Sequence, residues 1–113
     1  CMMTPRKLFR SVGGFDETFQ VAFNDIDYCM KVREKDQLVV YDPYVELYHY
    51  ESKSRGKEET AEKMKRFHGE IQRFKRKWPD ILRQGDPYYN PNLSLKDGNC
   101  MLRTNEERSA KLV

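Results

Sequence analysis

The stretch VGGFDETFQVAFNDIDYC, residues 12–29, holds the signals that organise this chain. Upstream of it, Thr4 and Pro5 predict the start of a short helix, with threonine as the N-cap and proline at the first helical position. Gly13 and Gly14 predict the end of that helix, because glycine readily takes the left-handed backbone at a helix C-terminus. A turn follows before the next regular element.

The second half of this stretch predicts another helix over about residues 25–36. Asn24 is its expected N-cap, and Asp25 and Asp27 fall in the first turn, where the helix dipole favours negative charge. The spacing of apolar residues predicts a buried face. That face consists of Ile26, Cys29, Met30 and Val32.

Beyond this helix, residues 38–41 and 45–50 are predicted to form two strands, and Asp42 and Pro43 predict a break between them. Residues 52–56 are predicted to form a polar loop. The expected fold class is therefore α/β, with short helices and two strands followed by one long helix.

The long helix is predicted over about residues 58–82, with Pro79 ending or kinking it. Its apolar positions recur every three or four residues, which is typical of an amphipathic helix or a heptad seam. They are Met64, Phe67, Ile71, Phe74, Trp78 and Ile81. Residues 1–95 are expected to form the domain, and residues 96–113 a flexible polar tail.

Composition limits the classes of protein that the chain can represent. Its 113 residues suffice for one small domain, and 35% of them are charged, with a net charge of +3. Three widely spaced cysteines predict neither a disulfide framework nor a zinc knuckle, and favour a reducing compartment. No apolar run approaches the roughly 20 residues of a membrane span, and no signal peptide is visible. The first three residues, CMM, are typical of a buried strand end, so we expect the chain to begin inside a larger domain.

Three groups of residues are candidates for chemistry. Asp25, at a helix start flanked by loop, could accept a proton from an attacking hydroxyl, although first-turn acids are often only compatible with the helix dipole. His49, at the end of a strand, could bind a metal or a phosphate, or be an ordinary histidine bonded to backbone. Hydroxyls and a guanidinium in the polar loop suit a diphosphate, or simply face solvent. This last set is Ser52, Ser54 and Arg55.

Taken together, these segments resemble the C-terminal part of bacterial family 2 glycosyltransferases, which are inverting enzymes of the GT-A fold. The resemblance covers about residues 1–95. The motifs, in family order, are FRSVGGFDE (9–17), FNDIDYC (23–29), LVVYDP (38–43), HYESKSRG (49–56) and GDPYYNPNLS (85–94). The last motif resembles a rhamnosyltransferase-like subgroup that is linked to polysaccharide assembly.

The resemblance implies roles for individual residues. Asp25 matches the catalytic base, and His49 matches the histidine that helps to hold the divalent metal, Mg or Mn, or the diphosphate. The loop that closes over the donor phosphates contains Ser52, Ser54 and Arg55. The acceptor-side residues are Gly14, Phe15, Asp16, Asn24 and Asp27.

The resemblance further implies a sugar transfer, with inversion, from a nucleotide-diphosphate sugar to a glycan or lipid-linked acceptor. The N-terminal half that binds the nucleotide in this family, together with the remaining metal ligands, is absent from this chain, so we expect it to be an inactive fragment by itself. The expected location is the cytoplasm, with peripheral attachment to the inner face of the membrane left open.

Two departures from the family pattern matter. Asn24 stands where many members have a glutamate, which alters the contacts to the acceptor. Asp25, Ile26 and Asp27 spell D-x-D, but at a helix start, where we do not interpret the motif as the one that binds metal.

Two other interpretations stay open at this point. The seam of the long helix could support self-association, so that the chain would be a non-catalytic module in a homo-oligomer. The segment from residue 57 to 83 also carries nine Lys or Arg residues against five acids, which would suit an anionic surface. Its aromatic residues do not interleave with a basic stripe, and no nucleic-acid partner is expected.

Overall fold

A computed structural model describes residues 1–50, 60–96 and 99–109 of the chain, apart from the side chains of residues 108 and 109. The chain divides into two compact units, Cys1–Lys77 and Trp78–Val113, and this division differs from the predicted boundary after residue 95. The first unit contains α1 (Arg6–Ser11), α2 (Asn24–Arg33) and α3 (Ala61–Lys77). The second contains α4 (Pro79–Gln84) and α5 (Asn105–Ser109).

The predicted end of α1 at the glycine pair is confirmed. Gly13 has a φ of 77°, and its N–H donates to the carbonyl of Arg10 at 3.2 Å. The N–H of Gly14 donates to the carbonyl of Phe9 at 2.9 Å, which completes a Schellman motif. A Cβ on Gly14 would lie 2.9 Å from the Phe9 ring, so both the backbone and the packing require glycine there.

Both predicted N-caps are wrong. The hydroxyl of Thr4 lies 2.6 Å from the Tyr28 hydroxyl, and the residue that caps α1 is Pro5. Asn24 is already inside α2, which is preceded by Phe23 in the left-handed conformation. Neither helix start has a side-chain cap, and the Thr4 hydroxyl is hydrogen-bonded to Tyr28 instead.

The first unit has two aromatic clusters. Phe9, Phe15 and Tyr28 pack with ring centroids 5.4–5.5 Å apart, joining α1, the turn after it and α2. Tyr28 and Val32 are buried and hold α2 in place.

The second cluster packs α3 against the segment between α1 and α2. Phe74 lies 4.9 Å from Phe23 and 6.1 Å from Phe19, and Phe67 stacks on Phe23 at 6.0 Å. Two members of the predicted seam therefore contact their own unit. This packing favours an ordinary amphipathic helix over a seam reserved for self-association.

The two predicted strands are not formed among the described residues. Residues 38–50 are exposed throughout and have no β-pairing, although the predicted break is confirmed as a turn in which Val45 N–H donates to the Asp42 carbonyl at 3.4 Å. A strand needs a neighbour to satisfy its backbone groups, and no described segment takes that place.

The predicted interruption of the long helix is confirmed, because α3 ends at Lys77 and α4 begins at Pro79. Within the second unit, Asp86 and Asn90 each accept a hydrogen bond from the N–H two residues on, at 2.8 and 3.0 Å. The segment that these turns shape then forms an antiparallel bridge, Leu93 with Leu102.

The described part of the predicted flexible tail contains local structure. The Ser94 hydroxyl donates to the Glu107 carboxylate at 2.6 Å, and the Thr104 N–H donates to the same carboxylate at 2.8 Å. The Glu107 N–H donates to the Thr104 hydroxyl at 3.3 Å, completing a capping box at the start of α5. Hydrogen bonds from Ser94 and Thr104 lower the pKa of Glu107.

No helix among the described residues combines the length and apolar character required to cross a membrane.

Candidate functional site

The first turn of α2 presents two carboxylates in opposite environments. Asp25 is exposed, whereas Asp27 is completely buried, with a fractional exposure of 0%. Ile26 was expected on the buried face and is 45% exposed, so that prediction is wrong. The helix is rotated so that Asp27, Tyr28 and Val32 face the core, and Asp25 is left accessible to other molecules.

Two lysines neutralise the buried carboxylate. Lys77, at the end of α3, places its Nζ 2.8 Å from Oδ1 of Asp27, and Lys31, one turn along α2, lies 3.5 Å from Oδ2. Lys31 also donates a short hydrogen bond to the carbonyl of Gly14. A buried charge is tolerated only with such partners, so this cluster is primarily structural.

Lys77 connects the same cluster to the turn after the glycine pair. Its Nζ lies 2.7 Å from Asp16, whose carboxylate also accepts hydrogen bonds from the N–H and hydroxyl of Thr18 at 3.0 and 2.6 Å. The hydrogen bond from Lys77, followed by that from Thr18, lowers the pKa of Asp16 strongly. Burial opposes the charged form of Lys77, but hydrogen bonds with Asp16 and Asp27 outweigh it and raise the lysine pKa.

The lowered pKa of Asp16 predicts a loss of stability in acid. A carboxylate with a depressed pKa in the folded state stabilises the fold above its unfolded pKa near 4, and the stabilisation disappears as pH falls further. Asp16→Asn should therefore destabilise the 16–19 turn by about 1 kcal/mol at pH 7, since the pair lies near the surface, and by progressively less below pH 4.

Protection factors from amide hydrogen exchange between pH 2.5 and 7 would measure this difference. Asp80→Asn is the matched control, because Asp80 also pairs with a cation, Arg83 at 3.2 Å, but both side chains are more than three-quarters exposed. A pH-independent difference between wild type and Asp16→Asn would contradict the prediction.

Glu70 is the important residue that the sequence did not single out. It is 2% exposed, and its carboxylate accepts hydrogen bonds from three consecutive backbone N–H groups. The donors are Gln20 at 2.9 Å, Val21 at 3.1 Å and Ala22 at 3.0 Å. These amides directly precede the left-handed Phe23, so Glu70 fixes the backbone that leads into α2.

The remaining acceptor-side candidates lie around this start of α2. Phe15 is half-exposed and contacts the rings of Phe9 and Tyr28. The preceding residue, Gly14, is buried, and its carbonyl accepts a hydrogen bond from Lys31. Asn24 is half-buried at the first position of the helix. Burial, and secondly the negative charge of Asp25, raise the pKa of the Cys29 thiol, which makes it a poor nucleophile.

Of the other predicted ligands, His49 belongs to the described residues and the loop residues do not. His49 is exposed, like the rest of residues 38–50. The described residues contain no group of three His, Cys, Asp or Glu side chains that could hold a metal ion. The described residues therefore do not by themselves fit a metal centre. Ser52, Ser54 and Arg55 lie outside the described residues.

Comparison with known proteins shows similarity to an uncharacterized protein, to an O-antigen biosynthesis protein and to an L-rhamnosyltransferase. An uncharacterized protein, y4gI, of Sinorhizobium fredii is 46% identical over 105 residues, or 90% of this chain and 11% of the relative. The O-antigen biosynthesis protein RfbC of Myxococcus xanthus is 34% identical over 113 residues, or 100% of the chain and 8% of the relative.

An N-acetylglucosaminyl-diphospho-decaprenol L-rhamnosyltransferase of Mycobacterium tuberculosis is 33% identical over 61 residues, or 54% of the chain and 20% of the relative. The chain thus spans about a tenth of the length of the first two relatives and a fifth of the third. No family model matches the chain, and no solved structure matches it significantly. The names of two of these relatives agree with the resemblance to glycosyltransferases that the motifs carry.

Proposed function

We propose that this chain is the acceptor-side part of an inverting glycosyltransferase that builds cell-surface polysaccharide. Support comes from the similarity to an L-rhamnosyltransferase and to an O-antigen biosynthesis protein. The proposed donor is a nucleotide-diphosphate sugar, with nucleotide-linked L-rhamnose as the first one to test, and the proposed acceptor is a lipid-linked diphospho-sugar. The chain alone would lack the donor site and be inactive.

The opposite burial of the two acids in α2 is the observation that carries the assignment of a base. Asp27 is enclosed by Lys31 and Lys77, whereas Asp25 is exposed at the helix start. Only an accessible carboxylate can reach an acceptor hydroxyl, so Asp25 is the proposed general base and Asp27 supports the turn that presents it.

The proposed chemistry is a single displacement. The Asp25 carboxylate takes the proton of the acceptor hydroxyl, and the hydroxyl oxygen forms a bond to the anomeric carbon of the donor. The bond from that carbon to the diphosphate oxygen breaks, the nucleoside diphosphate leaves with the electron pair, and the configuration inverts. If a divalent metal, Mg or Mn, takes part, His49 is its proposed ligand in this chain. Its other ligands would lie outside the described residues.

We also retain the GT-A fold as a proposal. Residues 38–41 and 45–50 are rich in β-branched and aromatic residues and expose large apolar side chains, among them Leu38, Val40 and Leu47. In the proposed fold, strands from the rest of the longer protein would pair with these segments and cover them.

A transfer assay with the full protein tests the function. It uses nucleotide-linked L-rhamnose and a synthetic N-acetylglucosaminyl-diphospho-polyprenol, with release of nucleoside diphosphate and mass of the lipid product as readouts. We expect transfer, with an anomeric configuration in the product opposite to that of the donor by NMR. A retained configuration would reject the single displacement, and no transfer from a panel of nucleotide sugars would reject the function.

A further inference from the structure

A polar groove runs along α3 on the side that faces the 18–20 segment. Its volume is about 470 Å³, within the range of roughly 300–1,000 Å³ that is common for small-molecule sites. Every residue lining it is polar, charged or glycine, so the groove offers charged and hydrogen-bonding groups to a ligand. Thr18 and Gln20 line one wall. The N–H and hydroxyl of Thr18 are bonded to Asp16 and the N–H of Gln20 to Glu70, so the side-chain amide of Gln20 is the donor that this wall adds.

The helical wall of the groove is a cationic stripe with a gap at its centre. Lys65, Gly69 and Arg73 are spaced four residues apart and therefore share one face of the helix. The Cα atoms of Lys65 and Arg73 are separated by about 12 Å along the axis, at 1.5 Å per residue. Gly69 has no heavy atom within 4 Å of the position that a Cβ would take, so it leaves open space between them.

The cations of this groove are partly preorganised. The Arg73 guanidinium donates a hydrogen bond to the Thr18 carbonyl and lies 6.0 Å from the centre of the Phe19 ring, which holds its planar donor fork in place. Arg66 adds a third positive charge to the lining. Arginine in a fixed orientation is well suited to bidentate contacts with phosphate oxygens.

The carboxylates in the lining do not cancel this charge. Glu70 lines the groove but is buried, and its carboxylate already accepts three backbone hydrogen bonds, which offset part of its charge. Glu62 is exposed near the helix start and is the only other acid among the lining residues that the structure describes. The open groove therefore has a net positive character.

We propose that this groove binds a diphosphate group. Cations spaced along one face of the helix with a gap between them favour an anion longer than a single phosphate, because its separate oxygens can reach more than one cation. Which substrate supplies the diphosphate rests on the proposed function, under which both the nucleotide sugar and the lipid-linked acceptor carry one.

The test is titration calorimetry of the full protein with inorganic pyrophosphate, in the presence of a chelator so that binding does not depend on metal. Gly69→Glu places a negative charge in the gap and should weaken binding at least about tenfold. Glutamate is a better helix former than glycine, so folding should be preserved. Gln72→Glu adds the same charge to an exposed position of α3 outside the groove and should change binding less than about twofold.

No binding by the wild-type protein, or equal weakening in both variants, would overturn the proposal. Competition against bound pyrophosphate then identifies the source of the diphosphate. Displacement by a nucleoside diphosphate indicates the donor, displacement by farnesyl diphosphate indicates the lipid-linked acceptor, and either result supports the site. Asp25→Asn should keep pyrophosphate binding. Binding that depends on Gly69 in a protein that transfers no sugar would uphold the groove and reject only the proposed glycosyltransferase function.

Discussion

Replacing Asp25 by asparagine should lower turnover in the full protein by about 10²–10⁴-fold, the usual contribution of a general base. The amide has nearly the same shape as the carboxylate but does not take the proton of the acceptor hydroxyl. Asp25 is exposed, and within the described residues it forms no ion pair. The fold should therefore be preserved. Steady-state kinetics should show the loss in kcat with little change in the binding of the nucleotide sugar.

The matched control for this variant is Asp80→Asn. Asp80 is also an exposed acid in the first turn of a helix, α4. Its replacement should leave turnover within about twofold of the wild-type value. Asp27→Asn separates position from chemistry, because it should reduce thermal stability as well as activity. If Asp25→Asn retained wild-type turnover, Asp25 would not be the base.

Glu70→Gln should destabilise the segment before α2 by about 3 kcal/mol or more. The amide keeps one acceptor oxygen but turns an NH₂ group toward at least one of the three backbone N–H groups that now share the carboxylate. Hydrogen bonds to a charged group contribute about 1.5–3 kcal/mol each, and a buried donor left without a partner costs a further ~1–3 kcal/mol.

Amide hydrogen exchange of the full protein, resolved to peptides spanning residues 19–24, would measure this loss. Glu62→Gln makes the same substitution at an exposed position of α3 and should cost less than about 0.5–1 kcal/mol. Equal exchange in the two variants would show that the three hydrogen bonds do not hold the segment.

The sequence predicted the features that depend on near neighbours. The end of α1 follows from the glycine pair, the break after α3 from Pro79, and the acidic first turn of α2 from Asp25 and Asp27. Each of these signals acts within one or two helical turns, where backbone conformation and dipole effects are local.

The features that the sequence did not predict depend on distant partners. The buried carboxylate of Asp27 is paired with Lys77, which lies 50 positions away in the chain. The Glu70 carboxylate accepts hydrogen bonds from amides that are 48–50 residues away. From pattern alone, Ile26 was the expected core residue and Glu70 an ordinary acid on a basic helix. Fold class remains a prediction, since pairing of residues 38–50 requires partners beyond the described residues.

The position of Glu70 and Lys77 on α3 has a consequence for protein engineering. The two residues are seven apart, so they lie on the same face of the helix, and between them they hold the 16–22 segment and Asp27. A chimera that exchanges only residues 12–29 between relatives would separate the backbone amides and Asp27 from their native partners, Glu70 and Lys77. Exchange of residues 12–29 between such proteins therefore requires that this segment and α3 be transplanted together.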